Sequence, residues 1–265
     1  MTPPDRFFCS LLFVVAATIL LADAGRAGKE KTSNQEGPMS CRKPVFVETG
    51  IYTLGSNNGQ ADERPARKVR IRGFQMDRCE VTRRRYFECI EKKGCSPPVK
   101  NKSSSDKKAS PNLPITGVSF MQAMEFCRWE GKTLPTEDQW EAAARGKNGF
   151  RFPWGDTASC SKANYGSYDK QGPCGRINPG RPEEVGKRPQ GKSPFGALDM
   201  GGNVWEWTRC SPSRKCGPKK AVLKGGSCCS MFLLPRSANR WEIDKQYRDF
   251  DIGFRCIKIS ERKGK

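Results

Sequence analysis

Cysteine is the residue that most restricts how this 265-residue chain can fold. It occurs thirteen times, and only Cys9 lies in an apolar leader, leaving twelve at 41, 79, 89, 95, 127, 160, 174, 210, 216, 228, 229 and 256. An even number in an exported chain reads as a disulfide framework. Short spacings predict loops closed by Cys89 with Cys95, Cys160 with Cys174, and Cys210 with Cys216. No C-x-x-C pair repeats with ribbon spacing, so structural zinc is not indicated.

The leader itself supports export. "MTPPDRFFCSLLFVVAATILLADAGRAG" has a cation at Arg6, an apolar run from Phe7 to Leu21, and small-residue sites at Ala22-Asp23-Ala24 and Ala27. This is the pattern of a signal peptide over residues 1–27, cleaved after Ala24 or Ala27. The run falls short of the ~20 residues of a spanning helix, and no other segment could cross a bilayer. The expected location is therefore periplasmic, cell-surface or secreted. Residues 28–40 are polar and aperiodic and read as a linker, and residues 41–265 have the length of one domain with a substantial core.

Histidine is absent. A Ser-His-Asp triad, a Cys-His dyad and any His-ligated zinc or iron site are thereby excluded, which leaves thiols, carboxylates, tyrosines or a metal held by sulfur or oxygen. The formal net charge of +20 favours acidic partners, such as a protein or an anionic envelope or polysaccharide ligand. Export makes nucleic acid the least favoured of them.

Alternation in "KVRIRGFQM" puts Val69, Ile71 and Phe74 on buried positions of an antiparallel, half-exposed sheet. Three helices follow. Thr82 caps "RRRYFECIEKKG", which ends at Gly94. Ser119 with Gln122, and Thr136 with Gln139, form capping boxes ahead of "FMQAMEFCRWEG" and "EDQWEAAARG". Between the first two, "CSPPVKNKSSSDKKASPNLP" lacks apolar periodicity and reads as a surface excursion. From Phe150 onward regular signals thin, while glycine, proline, tryptophan and cysteine accumulate in loops that need staples.

The blocks "GVSFMQAMEFCRWEGKTLPTEDQWEAAARG", "RFPWGD", "SPFGALDMGGNVWEWT", "VLKGGS" and "DIGFRC", in this order from about Cys41 to the C-terminus, resemble the formylglycine-generating enzyme or sulfatase-modifying-factor family. The resemblance implies an α+β fold, a variant of the C-type-lectin-like fold with short antiparallel strands, about three helices and much irregular, disulfide-stapled loop. It implies a disulfide between Cys127 and Cys256. It also implies a calcium ion at Asp199, Met200, Gly202, Val204 and Glu206, with Glu206 drawn among backbone carbonyls. A second calcium site of the family begins at Ala163-Asn164-Tyr165, but its later ligands find no match in this chain.

Catalytic members of that family oxidise a cysteine of an unfolded sulfatase to formylglycine, with oxygen and Cu(I) held by two cysteines. These lie three and eight residues after the serine of the Gly-Gly-Ser turn, which here are Ser230 and Pro235. Neither supplies a thiolate. The family's iron-dependent branch requires histidines and is excluded. Cys228 and Cys229 lie beside the expected site, and adjacent thiols on an extended segment point to opposite sides unless a tight turn intervenes. Two readings of the pair stand: each bridges elsewhere, with Cys41 and Cys79 as the remaining partners, or the two form a redox-active or copper-binding centre. The expected function follows: a non-catalytic binding or accessory member with a basic surface, or alternatively a copper- and oxygen-dependent oxidase with a displaced cysteine pair.

Overall fold

The computed structural model describes residues 38–99, 109–166, 180–230 and 235–259. The residues read as a signal peptide, most of those read as a linker, the centre of the Ser/Lys/Pro excursion, Cys174 and most of the segment after Ala163-Asn164-Tyr165 lie outside them.

Among the described residues, short alternating segments build three small sheets. β1 (Val45–Val47) buries Val45 and Val47 and exposes Phe46, as period-2 alternation dictates. It pairs antiparallel with β4 (Phe74–Met76), which pairs with β9 (Ile257–Ile259). β2 (Gly50–Leu54) and β3 (Arg67–Ile71) form a separate antiparallel ribbon, with Tyr52 and Leu54 turned inward. The alternation in "KVRIRGFQM" thus spans two sheets rather than one. The break falls at Gly73, whose N–H donates to Thr49 Oγ1 at 2.8 Å and where a Cβ would meet the Phe46 ring at 3.1 Å. Ile71 and Phe74 are buried, while Val69 is only half-buried.

The third sheet has the order β7-β6-β5-β8, from β5 (Trp205–Thr208), β6 (Lys220–Lys224), β7 (Arg240–Asp244) and β8 (Ile252–Gly253). Its β5–β8 pair is parallel, so the strands are not uniformly antiparallel.

The helices begin where their caps place them. Thr82 Oγ1 accepts from Arg85 N at the start of α1 (Arg83–Glu91), and α2 (Phe120–Trp129) and α3 (Glu137–Arg145) each open with a complete capping box. Gly146 ends α3 at φ 64°, a conformation that favours glycine.

Two cores result. In one, Tyr86 of α1 and Phe126 of α2 stack at 5.6 Å, and Phe254 meets Phe126 edge-on at 5.5 Å. In the other, Trp140 of α3 lies with Tyr52, Phe74 and Met76 beneath the first two sheets. Disulfides join Cys41 to Cys79, Cys89 to Cys95, Cys127 to Cys256 and Cys210 to Cys216. Cys160 is disulfide-bonded, and its expected partner Cys174 is not among the described residues. Among the described residues, no helix is long and apolar enough to cross a membrane.

Candidate functional site

β6 ends beneath the Gly-Gly-Ser turn because Lys224 is tethered there. The buried Lys224 ammonium donates to Glu141 Oε2 at 3.1 Å and to the Ala238 carbonyl at 3.1 Å. Glu141 also accepts from Arg145 at 2.9 Å and from Gly55 N at 2.6 Å. Burial alone would raise the Glu141 carboxyl, but Lys224 and Arg145 hold it below its usual value. The chain then turns through Gly225 and Gly226 at φ 93° and 74°. A Cβ on Gly225 would come within 3.0 Å of the Trp140 ring, so glycine is required on both counts.

Beyond the turn, Ser227 Oγ donates to Asp251 Oδ2 at 2.6 Å and accepts from Cys229 N at 3.2 Å. Ser230 N donates to the Ser227 carbonyl at 3.0 Å, closing a tight turn with Cys228 and Cys229 at its centre. Ser230 Oγ accepts from Ser227 N at 2.8 Å. This turn overrides the expectation from an extended segment: both cysteines remain thiols, with their sulfurs 3.8 Å apart. The pairing of Cys41 with Cys79 removes the two partners that the bridging reading supplied, so that reading is corrected. Cys228 is fully buried, and its N–H donates to the Asn203 carbonyl at 2.9 Å. The half-buried Cys229 directs its thiol at the Gly180 carbonyl, 3.3 Å away. Burial, assisted by Asp249, pushes the Asp251 carboxyl up to about 6, against the opposing hydrogen bond from Ser227.

The loop ahead of β5 carries Asp199, Met200, Gly202 and Val204 of the expected calcium set, and β5 itself carries Glu206. Both oxygens of Glu206 are already bound. Arg255 Nε reaches Oε2 and its terminal nitrogen reaches Oε1, each at 2.7 Å, and Trp140 Nε1 donates to Oε2 at 2.8 Å. Asp199 Oδ2 accepts from Gly186 N at 2.6 Å. Of the two carboxylates of the set, Glu206 is thus held by a buried guanidinium fork rather than drawn among carbonyls, while burial raises the Asp199 carboxyl against the opposing pull of Gly186 N and Arg255. What organises the loop is Asn203, at φ 62°. Its side chain donates to Glu80 Oε1 at 2.9 Å and accepts from Glu183 N at 2.8 Å.

Asn203, Glu80, Asp251 and Arg255 were not singled out from the sequence. A polar residue set in an apolar run, as Arg255 is in "IGFRCI" and Asn203 in "GGNVW", was the available signal.

The turn after β6, the loop ahead of β5 and the buried "GFRC" arginine form one connected cluster on an α+β scaffold that has, among the described residues, three small sheets and three α-helices. The model of the sulfatase-modifying factor enzyme 1-like domain matches residues 29–260, and the chain belongs to this family. The chain is 31% identical over 245 residues to the serine/threonine-protein kinase Pkn1 of Chlamydia trachomatis, covering 81% of this chain and 38% of that protein. It is 27% identical to the formylglycine-generating enzyme of Mus musculus, covering 83% of this chain and 76% of the enzyme. The first curated relatives are longer, and the chain spans between 37% and 54% of their length. The structure of PvdO from Pseudomonas aeruginosa shares the fold, with a TM-score of 0.69 and 22% identity over 84% of this chain and 96% of that one.

Proposed function

We propose that the protein is an exported, non-catalytic member of its family, in which the scaffold presents a basic surface to a partner, either a protein or an anionic envelope or polysaccharide ligand. The observation that carries this reading is the chemistry at the two positions after the Gly-Gly-Ser turn. Ser230 is buried with its hydroxyl committed to Ser227 N, and Pro235 is a buried ring, so neither holds a soft metal. The net charge of +20 supports an acidic partner, and the disulfides support an oxidising compartment.

A second reading is favoured by one geometric fact, the 3.8 Å separation of the Cys228 and Cys229 sulfurs in a tight turn. A displaced thiolate pair of this kind would offer Cu(I) two soft ligands next to the half-buried Asp251, and the protein would then be an oxidase that forms formylglycine. Incubating the purified protein with Cu(I), oxygen and a Cys-x-Pro-x-Arg peptide separates the two. The expected result is no aldehyde. Aldehyde that forms with the wild type and disappears in Cys228→Ser would overturn the non-catalytic reading.

A further inference from the structure

We propose that the cavity beside the first turn of α1 binds a tetrahedral oxyanion, a sulfate or phosphate group, between Arg84 and Arg78. This rests on the reading of the protein as a binder of acidic partners and gives that reading a site.

The cavity has a volume of 350 Å³, and six cations and three acids line it. Two of the acids are spent. Arg85 reaches Asp77 at 2.9 Å and Glu130 at 2.5 Å, while Lys132 reaches the same two carboxylates at 2.7 and 2.8 Å. These four groups make a closed and neutral square. The third acid, Glu80, faces the cavity while its Oε1 accepts from Asn203. Arg78 and Arg84 have no carboxylate within ion-pair distance among the described residues. Their Nε atoms are buried, and neither meets a hydrogen-bond acceptor there. Lys258, facing outward beside Gln75 on β9, adds a further cation to the rim.

The sequence around Arg84 sharpens the point. Arg83, Arg84 and Arg85 are consecutive, with no acid in the first turn of α1, although that end of the helix dipole is already positive. The backbone is not the binding group. Arg83 N donates to the Leu113 carbonyl at 2.9 Å, Arg84 N to the Pro111 carbonyl at 3.0 Å, and Arg85 N to Thr82 Oγ1 at 3.3 Å. The guanidinia remain, and their forked N–H donors match the oxygens of sulfate and phosphate. An anion between them would meet the accessible N–H groups of the two guanidinium forks and offset the charge that the helix dipole opposes. The volume admits such a group together with part of a carrier.

Isothermal titration at 0.15 M salt with sodium sulfate, sodium phosphate and dextran sulfate tests the site and separates a free ion from an ester on a polymer. Saturable binding of at least one probe is expected. Arg84→Gln and Arg78→Gln should each weaken it by about tenfold, the effect of losing one charge-assisted contact. Arg84→Lys keeps the charge and should lose less, and thermal unfolding of each variant checks that it is folded. As a control, the exposed pair Lys68→Gln with Arg70→Gln on β3 should leave the affinity unchanged. If that pair weakens binding as much as Arg84→Gln does, the attraction is diffuse: the site falls while the reading of a basic binding surface stands. If the wild type binds none of the three probes, both fall.

Discussion

Asp251 is the residue whose surroundings make the clearest demand on the protein as a function of pH. Its carboxyl is pushed up from 3.8 to about 6, chiefly by burial, with the charge of Asp249 adding to it and the Ser227 hydroxyl opposing. Between about pH 4 and pH 6 the unfolded chain releases this proton while the folded protein keeps it. The contribution of Asp251 to stability is therefore highest below the unfolded value, falls as pH rises through that window, and is flat above it. Asp251→Asn removes the titration and retains an acceptor for Ser227. Urea unfolding of both proteins at pH 4 and pH 7 should show the variant gaining stability relative to the wild type as pH rises. A difference between the two that stays constant from pH 4 to pH 7 would sink the assignment. Taking the difference is essential, because Glu141 has the opposite sign: its lowered carboxyl contributes stability that is lost only at low pH.

At the scale of elements, α3 is the helix on which the site leans, since Trp140 and Glu141 both project from it toward the Gly-Gly-Ser turn. Its start depends on Thr136, whose hydroxyl accepts from Gln139 N at 3.2 Å while Gln139 Oε1 accepts from Thr136 N at 2.9 Å. Thr136→Ala should cost about 1 kcal/mol in urea unfolding, the usual loss for an N-cap. A cost below a few tenths would mean that packing alone holds the helix end. The caps of all three helices were legible in the sequence because a cap is local: the hydroxyl and the amide it serves lie three residues apart. The strand pairing of "KVRIRGFQM" was not legible. Period-2 alternation fixes which side chains are buried but not which strand is the neighbour, and Gly73 sends the two halves to different sheets. The Cys228–Cys229 geometry stays open in the sequence for a related reason. Adjacent side chains diverge only on an extended segment, and the hydrogen bond from Ser230 N to the Ser227 carbonyl converts that segment into a turn. The Arg255–Glu206 pair joins residues 49 apart in sequence, and no local pattern could have shown it.

The whole molecule relies on long-range closure, because short sheets and irregular loops bury less surface per ordered residue than long elements would. The Cys127–Cys256 disulfide provides it by tying α2 to the segment between β8 and β9 across 129 residues of chain. Both half-cystines are fully buried in the aromatic core that holds Tyr86, Phe126 and Phe254. In the chain-entropy account, a cross-link over so long a loop restricts the unfolded ensemble strongly, by up to about 5 kcal/mol, and less where other bridges already shorten the path. The local bridges Cys89–Cys95 and Cys210–Cys216 close loops with a separation of only 6 and restrict it less. Replacing both partners, Cys127→Ser with Cys256→Ser, leaves no lone thiol to exchange with Cys228 or Cys229. That variant should lose about 3–5 kcal/mol, or roughly 10 °C in Tm for a domain of this size, and Cys89→Ser with Cys95→Ser should lose less. Thermal unfolding of the two double variants side by side decides the matter. If the short-loop variant loses as much as the long-loop one, or if the long-loop variant melts within about 2 °C of the wild type, then burial of the aromatic core, and not covalent closure, holds the helices to the C-terminal strands.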